Sequence, residues 1–535
     1  MQSISEFLED ILQRCGGFGR FQFLMYTVVM GSKLPVAWSM MMMSYVGVIP
    51  DWWCDYNVPI NRTDSHVTES PWTNSSFKKC SPPANTSVSS CSRHRFQNDM
   101  YNIVNEWNLV CDRELITSTI TTIQMAGLFV SGFFSGHFAD AYGRKPIYFL
   151  SVLTLAVTNV IAAYSVSWQM FAVLRFFIGF AVGCYIAVFY TYLIEFTPAR
   201  YRAMTTTFPI WAVWCGLFAF VCMWLHNWKY LHLATAVTSV PWLLAWWYFP
   251  ESFRWLVTHG KEEQAVKIVI QIAKTNSKDV PDTTRLTDIA DSDSSINQSK
   301  QSFTLRDILC SRKLLSRSLL LAVGWVTAAY VYYAISFGVQ NLSGNIYINI
   351  FLINIIDIPA QIVTYYMANC IGRRLTCLVF FVTGGLAGIV VACVEISDIE
   401  HKNMIINGFA LTCKLCVGAA WTSLIVFTAE TYPTVVRNIG NGLQNSLSRL
   451  GGMVSPLIVY VNNRVPGIMY FLCGGLMLLS AFCTMFVPET KGVPLSDTID
   501  QQSETESEKE RLLQSNTGNG YRTTVPQERS PSVTN

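Results

Sequence analysis

Residues 134–146 read FSGHFADAYGRKP, and a second basic turn, NCIGRRL, stands at 369–375. Each lies between two long apolar runs, so each reads as a short charged turn at a membrane face. Two further motifs repeat with them. Glu195-x-x-Pro198-x-x-x-Arg202 is echoed by Glu430-x-x-Pro433-x-x-x-Arg437, and Pro250-Glu251-Ser252 by Pro488-Glu489-Thr490, in the same order and at nearly one offset. Repetition in register predicts two similar halves: six helices, a linker and six more. A duplicated polytopic architecture suits the movement of a solute better than the support of a fixed active site.

Composition points the same way. Of 535 residues, 51% are hydrophobic and only 14% charged, whereas soluble domains carry about a quarter charged residues. A bilayer crossing takes roughly 20 predominantly apolar residues. About twelve stretches meet that measure, near 21–48, 116–138, 146–167, 170–194, 204–225, 231–249, 317–339, 345–367, 376–396, 404–428, 440–461 and 466–487. The N-terminus, MQSISEFLEDILQRCGG, carries acids and lacks a small-residue cleavage site, so the first helix is expected to direct insertion itself.

Short loops set the orientation. Arg144 and Lys145, Arg200 and Arg202, Arg373 and Arg374, and Arg437 share one side with the basic segment 254–317, while Lys229, Lys402 and Arg464 are the main basic residues opposite. Positive charge marks the cytosolic side. The expected plan is therefore a cytosolic N-terminus at 1–20, a first helix at 21–48 and an extracellular loop at 49–115. The rest of the N-terminal bundle follows at 116–256, a cytosolic linker at 257–313, the C-terminal bundle at 314–492 and a disordered cytosolic tail at 493–535. Within the linker, short helices are expected at 261–274 and near 304–313. The plasma membrane is the expected location, with endosomal or lysosomal membranes as the alternative.

The outer loop agrees with an oxidising compartment. It holds N-x-S/T sequons at Asn61, Asn74 and Asn85. It also holds Cys54, Cys80, Cys91 and Cys111, an even number that allows three pairings. Self-association of the chain through this loop is one expectation. In the tail, Glu508-Lys-Glu-Arg-Leu512-Leu513 has the form of an acidic dileucine signal, so Leu512 and Leu513 are candidate contacts for sorting adaptors.

More specific residues carry a family resemblance. Gly136-x-x-x-Asp140-x-x-Gly143-Arg144-Lys145 resembles the loop signature of the major facilitator superfamily, and Pro250-Glu-Ser-Phe-Arg-Trp-Leu256 the motif that closes the sixth helix in its sugar and organic-ion transporters. Trp107-Asn-Leu-Val-Cys-Asp112, Asp357-Ile-Pro-Ala360 and Ala429-Glu-Thr-Tyr-Pro-Thr-Val-Val-Arg-Asn438 resemble solute carrier family 22, over nearly the whole chain up to about residue 498. The resemblance implies an all-α polytopic membrane protein with the major facilitator fold: twelve transmembrane helices in two six-helix bundles and a large glycosylated first extracellular loop. It further implies alternating-access transport of small organic ions, whether cations, anions or zwitterions such as carnitine.

Charges inside the membrane refine the substrate. A charged residue at a helix centre costs about 2.5–3.5 kcal/mol on insertion scales, so it marks a pathway or a pair. Lys33, Asp357, Lys414 and Arg449 fall in that zone. Three positive charges and one negative favour a carboxylate, with Asp357 available to a cationic group. In the family, cation-selective members typically have aspartate at the position of Arg449, and anion and carnitine members arginine. Lys33 departs from the family, whose members usually have an apolar residue there. Trp325 and Tyr332 are seven residues apart on one helix face, with Tyr333 adjacent, and aromatic faces attract quaternary ammonium groups. These seven residues are the candidate substrate contacts. Asp140 and Arg144, Glu195 and Arg202, Glu251 and Arg254, and Glu430 and Arg437 are candidate gating pairs at the cytosolic face, able to lock the two bundles.

An enzyme is not expected: the seven histidines are scattered, and HExxH, GxSxG and Cys/His clusters are missing. No nucleic-acid partner, metal or cofactor is implied, and without an ATP-binding motif transport is facilitated or ion-coupled, with sodium and proton both open. The partners expected are the lipid bilayer and a small organic ion. The first expectation is an organic cation or zwitterion of the carnitine or betaine kind. An organic anion is second, and a non-transporting receptor on the same scaffold third.

Overall fold

A computed structural model of the full chain describes residues 4–55, 80, 93–96, 100–202, 209–281, 305–433 and 435–492. Asn61, Asn74, Asn85, Cys91, Leu512 and Leu513 lie outside these residues. The chain opens with α1 (Ile4–Arg14), then α2 (Arg20–Gly31), α3 (Lys33–Met41) and α4 (Met43–Val46). A small antiparallel hairpin, β1 (Trp52–Asp55) and β2 (Arg93–Phe96), pairs Trp52 with Phe96, and α5 (Ile103–Trp107) follows. The remaining N-terminal helices are α6 (Leu115–Tyr142), α7 (Arg144–Ala163), α8 (Trp168–Glu195), α9 (Ile210–Leu225) and α10 (Trp228–Leu244). A short α11 (Phe253–Thr258) closes the first half, and the linker contributes α12 (Glu262–Thr275) and α13 (Leu305–Cys310). The second half holds α14 (Arg312–Phe337), α15 (Ile346–Ile355), α16 (Asp357–Ile371), α17 (Arg373–Ile396), α18 (Lys402–Thr431), α19 (Arg437–Arg464) and α20 (Ile468–Met485).

Among the described residues, helix lies within each apolar stretch expected from the sequence. Among the described residues, eight helices are long and apolar enough to cross a membrane, and α9 is a shorter apolar one. Two stretches are broken by the same device. In Lys33-Leu34-Pro35 and Asp357-Ile358-Pro359 the proline lacks an N–H and its ring crowds the carbonyl of the preceding turn. The helix divides just upstream, at Ser32 and Ile356, and in each case the ionisable residue becomes the first of the new segment.

The repeated basic turns are built alike. Gly143 and Gly372 both have φ near +100°, a region L side chains rarely adopt. A side chain at either glycine would run into a carboxylate, Glu251 in one half and Glu489 in the other. The repeat seen in the sequence is thus a repeated local structure.

The halves meet along two seams, α6 against α19 and α9 against α15. Polar contacts across them include Thr122 Oγ1 to the Met453 carbonyl at 3.2 Å and Asn463 to Glu114 at 2.8 Å. Tyr347 joins Tyr45 at 3.3 Å and His226 at 3.0 Å. Of the four outer-loop cysteines, Cys80 and Cys111 form a disulfide. That settles part of a pairing that composition left open, while Cys54 has its backbone alone described. The linker helices fall where expected, within a few residues. α1 buries Phe7, Leu8, Ile11 and Leu12, and Asn276 at the end of α12 ties it down, donating to the Cys15 carbonyl at 2.8 Å and accepting from the Phe21 N–H at 2.9 Å.

Candidate functional site

Four helices of the second half bring aromatic and charged side chains together. Trp421, on α18, is the centre: its ring lies 5.7 Å from Tyr332, 6.1 Å from Trp325 and 6.4 Å from Tyr333, centroid to centroid. Tyr333 stacks on Phe337, and the Trp325 indole N–H donates to Thr428 Oγ1 at 2.9 Å. Hydrogen-bonded, edge-to-face rings of this kind make a rigid apolar wall.

The charges flank that wall. Asp357 is only 4% exposed; its Oδ2 accepts from the Tyr332 hydroxyl at 2.9 Å, while among the described residues Oδ1 has no hydrogen-bond partner. Lys414 is fully buried and donates to Ser336 Oγ at 2.7 Å and to the Tyr332 carbonyl at 3.2 Å, its ammonium 3.0 Å from the Tyr332 ring centroid. Arg449, half-buried, donates to Asn445 Oδ1 at 3.1 Å and interacts with the Tyr333 hydroxyl. From the first half, α9, which carries Cys215, touches α16, which begins at Asp357, and Cys215 interacts electrostatically with Asp357 and Lys414. The cluster therefore sits where the halves meet. Six of the seven expected substrate contacts belong to it.

Lys33 stands elsewhere. Its ammonium lies 4.4 Å above the Phe189 ring, within the first half, and among the described residues it has no hydrogen bond or ion pair. The adjoining Ser32 hydroxyl contacts Tyr148 at 2.6 Å and Tyr185 at 2.8 Å, bracing the helix break that presents Lys33.

Two groups escaped the sequence reading. Arg175, in α8, is fully buried and among the described residues has no carboxylate contact: it donates to the Ser39 carbonyl, Gln124 Oε1 and His232 Nε2 at 3.2–3.3 Å. Arginine can only donate, so His232 Nε2 accepts and its Nδ1–H donates to Asn159 Oδ1 at 2.8 Å. This network joins α3, α6, α7, α8 and α10. An ionisable residue inside an apolar run was the available signal. Trp421 left none, since a lone aromatic in an apolar helix looks like packing.

Comparison with known proteins agrees with the geometry. Residues 24–500 match the family described as "Sugar (and other) transporter". The chain is 31% identical to solute carrier family 22 member 21 of Mus musculus over 78% of this chain and 74% of that one. It is 30% identical to organic cation/carnitine transporter 2 of Homo sapiens, over 79% and 76%. The chain belongs to solute carrier family 22. Organic anion transporter 3 of Homo sapiens is 28% identical to this family 22 transporter over 92% of both chains. A partially occluded inward open structure of the xylose transporter XylE from E. coli covers 89% of this chain and 99% of its own, with TM-score 0.63 and 15% identity, a likeness of fold. The chain is a major facilitator superfamily transporter of small organic ions, embedded in a membrane, and not an enzyme.

At the basic face of this family 22 transporter Asp140 and Arg144 pair as the sequence reading expects, and the other charges pair differently. Arg144 binds Asp140 at 2.8 Å and Glu195 at 3.2 Å, and the Glu251 carboxylate accepts from the Arg144 and Lys145 backbone N–H groups at 2.9 and 3.2 Å. The second half repeats this with Arg373 on Glu430 at 3.1 Å and Glu489 beneath the Arg373 N–H at 2.9 Å. Arg202 and Arg254 both bind Glu9 of α1, at 2.7 and 2.8 Å, instead of Glu195 and Glu251. Arg437 donates to the Tyr432 carbonyl at 3.4 Å. Each of these ion pairs lies within one half, so they brace a half and do not bridge the two. The two turn carboxylates differ: burial pushes the Glu251 carboxyl up, whereas at Glu489, against burial, backbone N–H groups hold it below the usual range.

Proposed function

We propose that the chain carries a small zwitterion of the carnitine or betaine kind by alternating access between two six-helix bundles at the plasma membrane. The supporting observation is that two opposite charges reach one aromatic wall through adjoining rings, Tyr332 and Tyr333. Arg449 reaches it through Tyr333, and Asp357, with an open oxygen, through Tyr332. A carboxylate would rest on the Arg449 guanidinium, which binds such groups with charge-assisted hydrogen bonds. The cationic end would lie against Trp421 and Trp325, near Asp357 Oδ1, where an aromatic face adds about 0.5–2 kcal/mol. The basic-face clusters would hold each bundle rigid while the seams open in turn, and the outer loop would carry glycans at its sequons.

An organic anion is the second reading, favoured by one observation: Lys33 is a cation without a hydrogen-bonded or ionic partner among the described residues. Uptake of labelled L-carnitine, tetraethylammonium and an aromatic carboxylate, each with and without sodium, separates the two. The zwitterion reading predicts carnitine as the best solute. Uptake of the aromatic carboxylate alone would establish the anion reading, and no flux of any solute would leave a receptor.

A further inference from the structure

Lys414 lies in the middle of a membrane helix, fully buried, and among the described residues it forms no direct ion pair. Its ammonium instead rests on two neutral oxygens, Ser336 Oγ and the Tyr332 carbonyl, and on the Tyr332 ring face. The same tyrosine gives its hydroxyl to Asp357 Oδ2, so the carboxylate and the ammonium act on each other across one ring. Oxygens at short range, an aromatic face and a nearby carboxylate are the ligand set of a small dehydrated monovalent cation. Asp357 keeps one oxygen open at 4% exposure, and a buried acid left uncompensated is costly. Other titratable or charged groups close to this pair are Tyr333, Cys215, Cys413 and, through Tyr333, Arg449.

We infer that the Lys414 ammonium is a tethered cation filling a monovalent-cation site made by Asp357, Tyr332 and Ser336, so that the carrier cycles without a coupling sodium or proton. The inference rests on the reading that Asp357 belongs to the substrate site, and it adds the reason that site needs no second ion. Removing the lysine should leave Asp357 in need of a free cation.

Thermal unfolding of the purified full-length protein tests this without any organic solute, so it stays interpretable if the zwitterion reading fails. Sodium chloride and N-methyl-D-glucamine chloride are compared at equal ionic strength, about 100 mM, where a ligand of the folded state alone raises the melting temperature by linkage. Wild type and Lys414→Arg should melt alike in the two salts. Lys414→Ala, or Lys414→Gln if alanine does not survive purification, should melt lower and regain about 2–4 °C in sodium. Adding Asp357→Asn to either variant should abolish that response. Sodium stabilisation of the wild type would overturn the inference, as would a Lys414→Ala or Lys414→Gln protein indifferent to sodium.

Discussion

Arg449→Asp should cut uptake of a carboxylate-bearing solute by about 100-fold or more, while a simple quaternary ammonium loses far less. A hydrogen bond to a charged group contributes about 1.5–3 kcal/mol, and the substituted aspartate adds repulsion, so a change beyond about 3 kcal/mol, or roughly two decades, is expected. The Asn445 carboxamide and the Tyr333 hydroxyl, which now orient the guanidinium, would lose their charged partner without leaving the fold, because Arg449 is only half-buried. Initial uptake rates of both solutes, normalised to surface-labelled protein, check this. Equal losses for the two would remove Arg449 from the substrate site.

Gly179→Leu should remove most of the folded protein from the membrane. At this position α8 crosses α6 so closely that even a Cβ would strike the Gln124 carbonyl, and Gly127 on α6 is packed as tightly against the Phe176 carbonyl. Small residues let membrane helices approach in this way. The obstacle is backbone, which cannot rotate aside as a side chain can. Overpacking typically costs 1–3 kcal/mol or more, and about 3 kcal/mol is a large share of the roughly 5–15 kcal/mol that holds a domain together. Pushing α6 away would also displace Gln124, and with it the acceptor for the buried Arg175. Surface labelling and size-exclusion profiles of the detergent-solubilised variant measure the loss; a monodisperse protein at wild-type yield would contradict the packing account. Gly442→Leu, on α19, is the control, since its Cβ meets nothing within 4 Å.

Much of this is legible in the sequence. The repeated turns and the Pro-Glu motifs became two similarly built corners, with Gly143 over Glu251 and Gly372 over Glu489. Asp357, Lys414 and Arg449 drew attention because ionised groups are rare inside apolar helices, and they came together around the α14 aromatics. Other features lay beyond the reach of spacing. Glu195 and Arg202 are neighbours along the chain, yet Arg202 binds Glu9 on a helix packed beneath it, a contact between residues 193 positions apart. Lys33 shares the depth of the other charges, but a helix break turns it toward Phe189. Trp421 organises three rings and left no periodic trace, because its helix is apolar on most sides. Arg175 was visible as a charge in an apolar run; its role as the tie between five helices follows from Ser39, Gln124 and the His232–Asn159 pair, which are distant in sequence.

The central claim is that one solute touches Arg449 with its carboxylate while its cationic end lies on the aromatic wall. The ratio of L-carnitine uptake to that of its methyl ester, in wild type and in Arg449→Gln, tests it most directly, since the ester keeps the cation and removes only the negative charge. A wild-type preference for carnitine of about 10–100-fold, the worth of one charged hydrogen bond, should fall to near unity in Arg449→Gln. The same preference in both proteins would contradict the account.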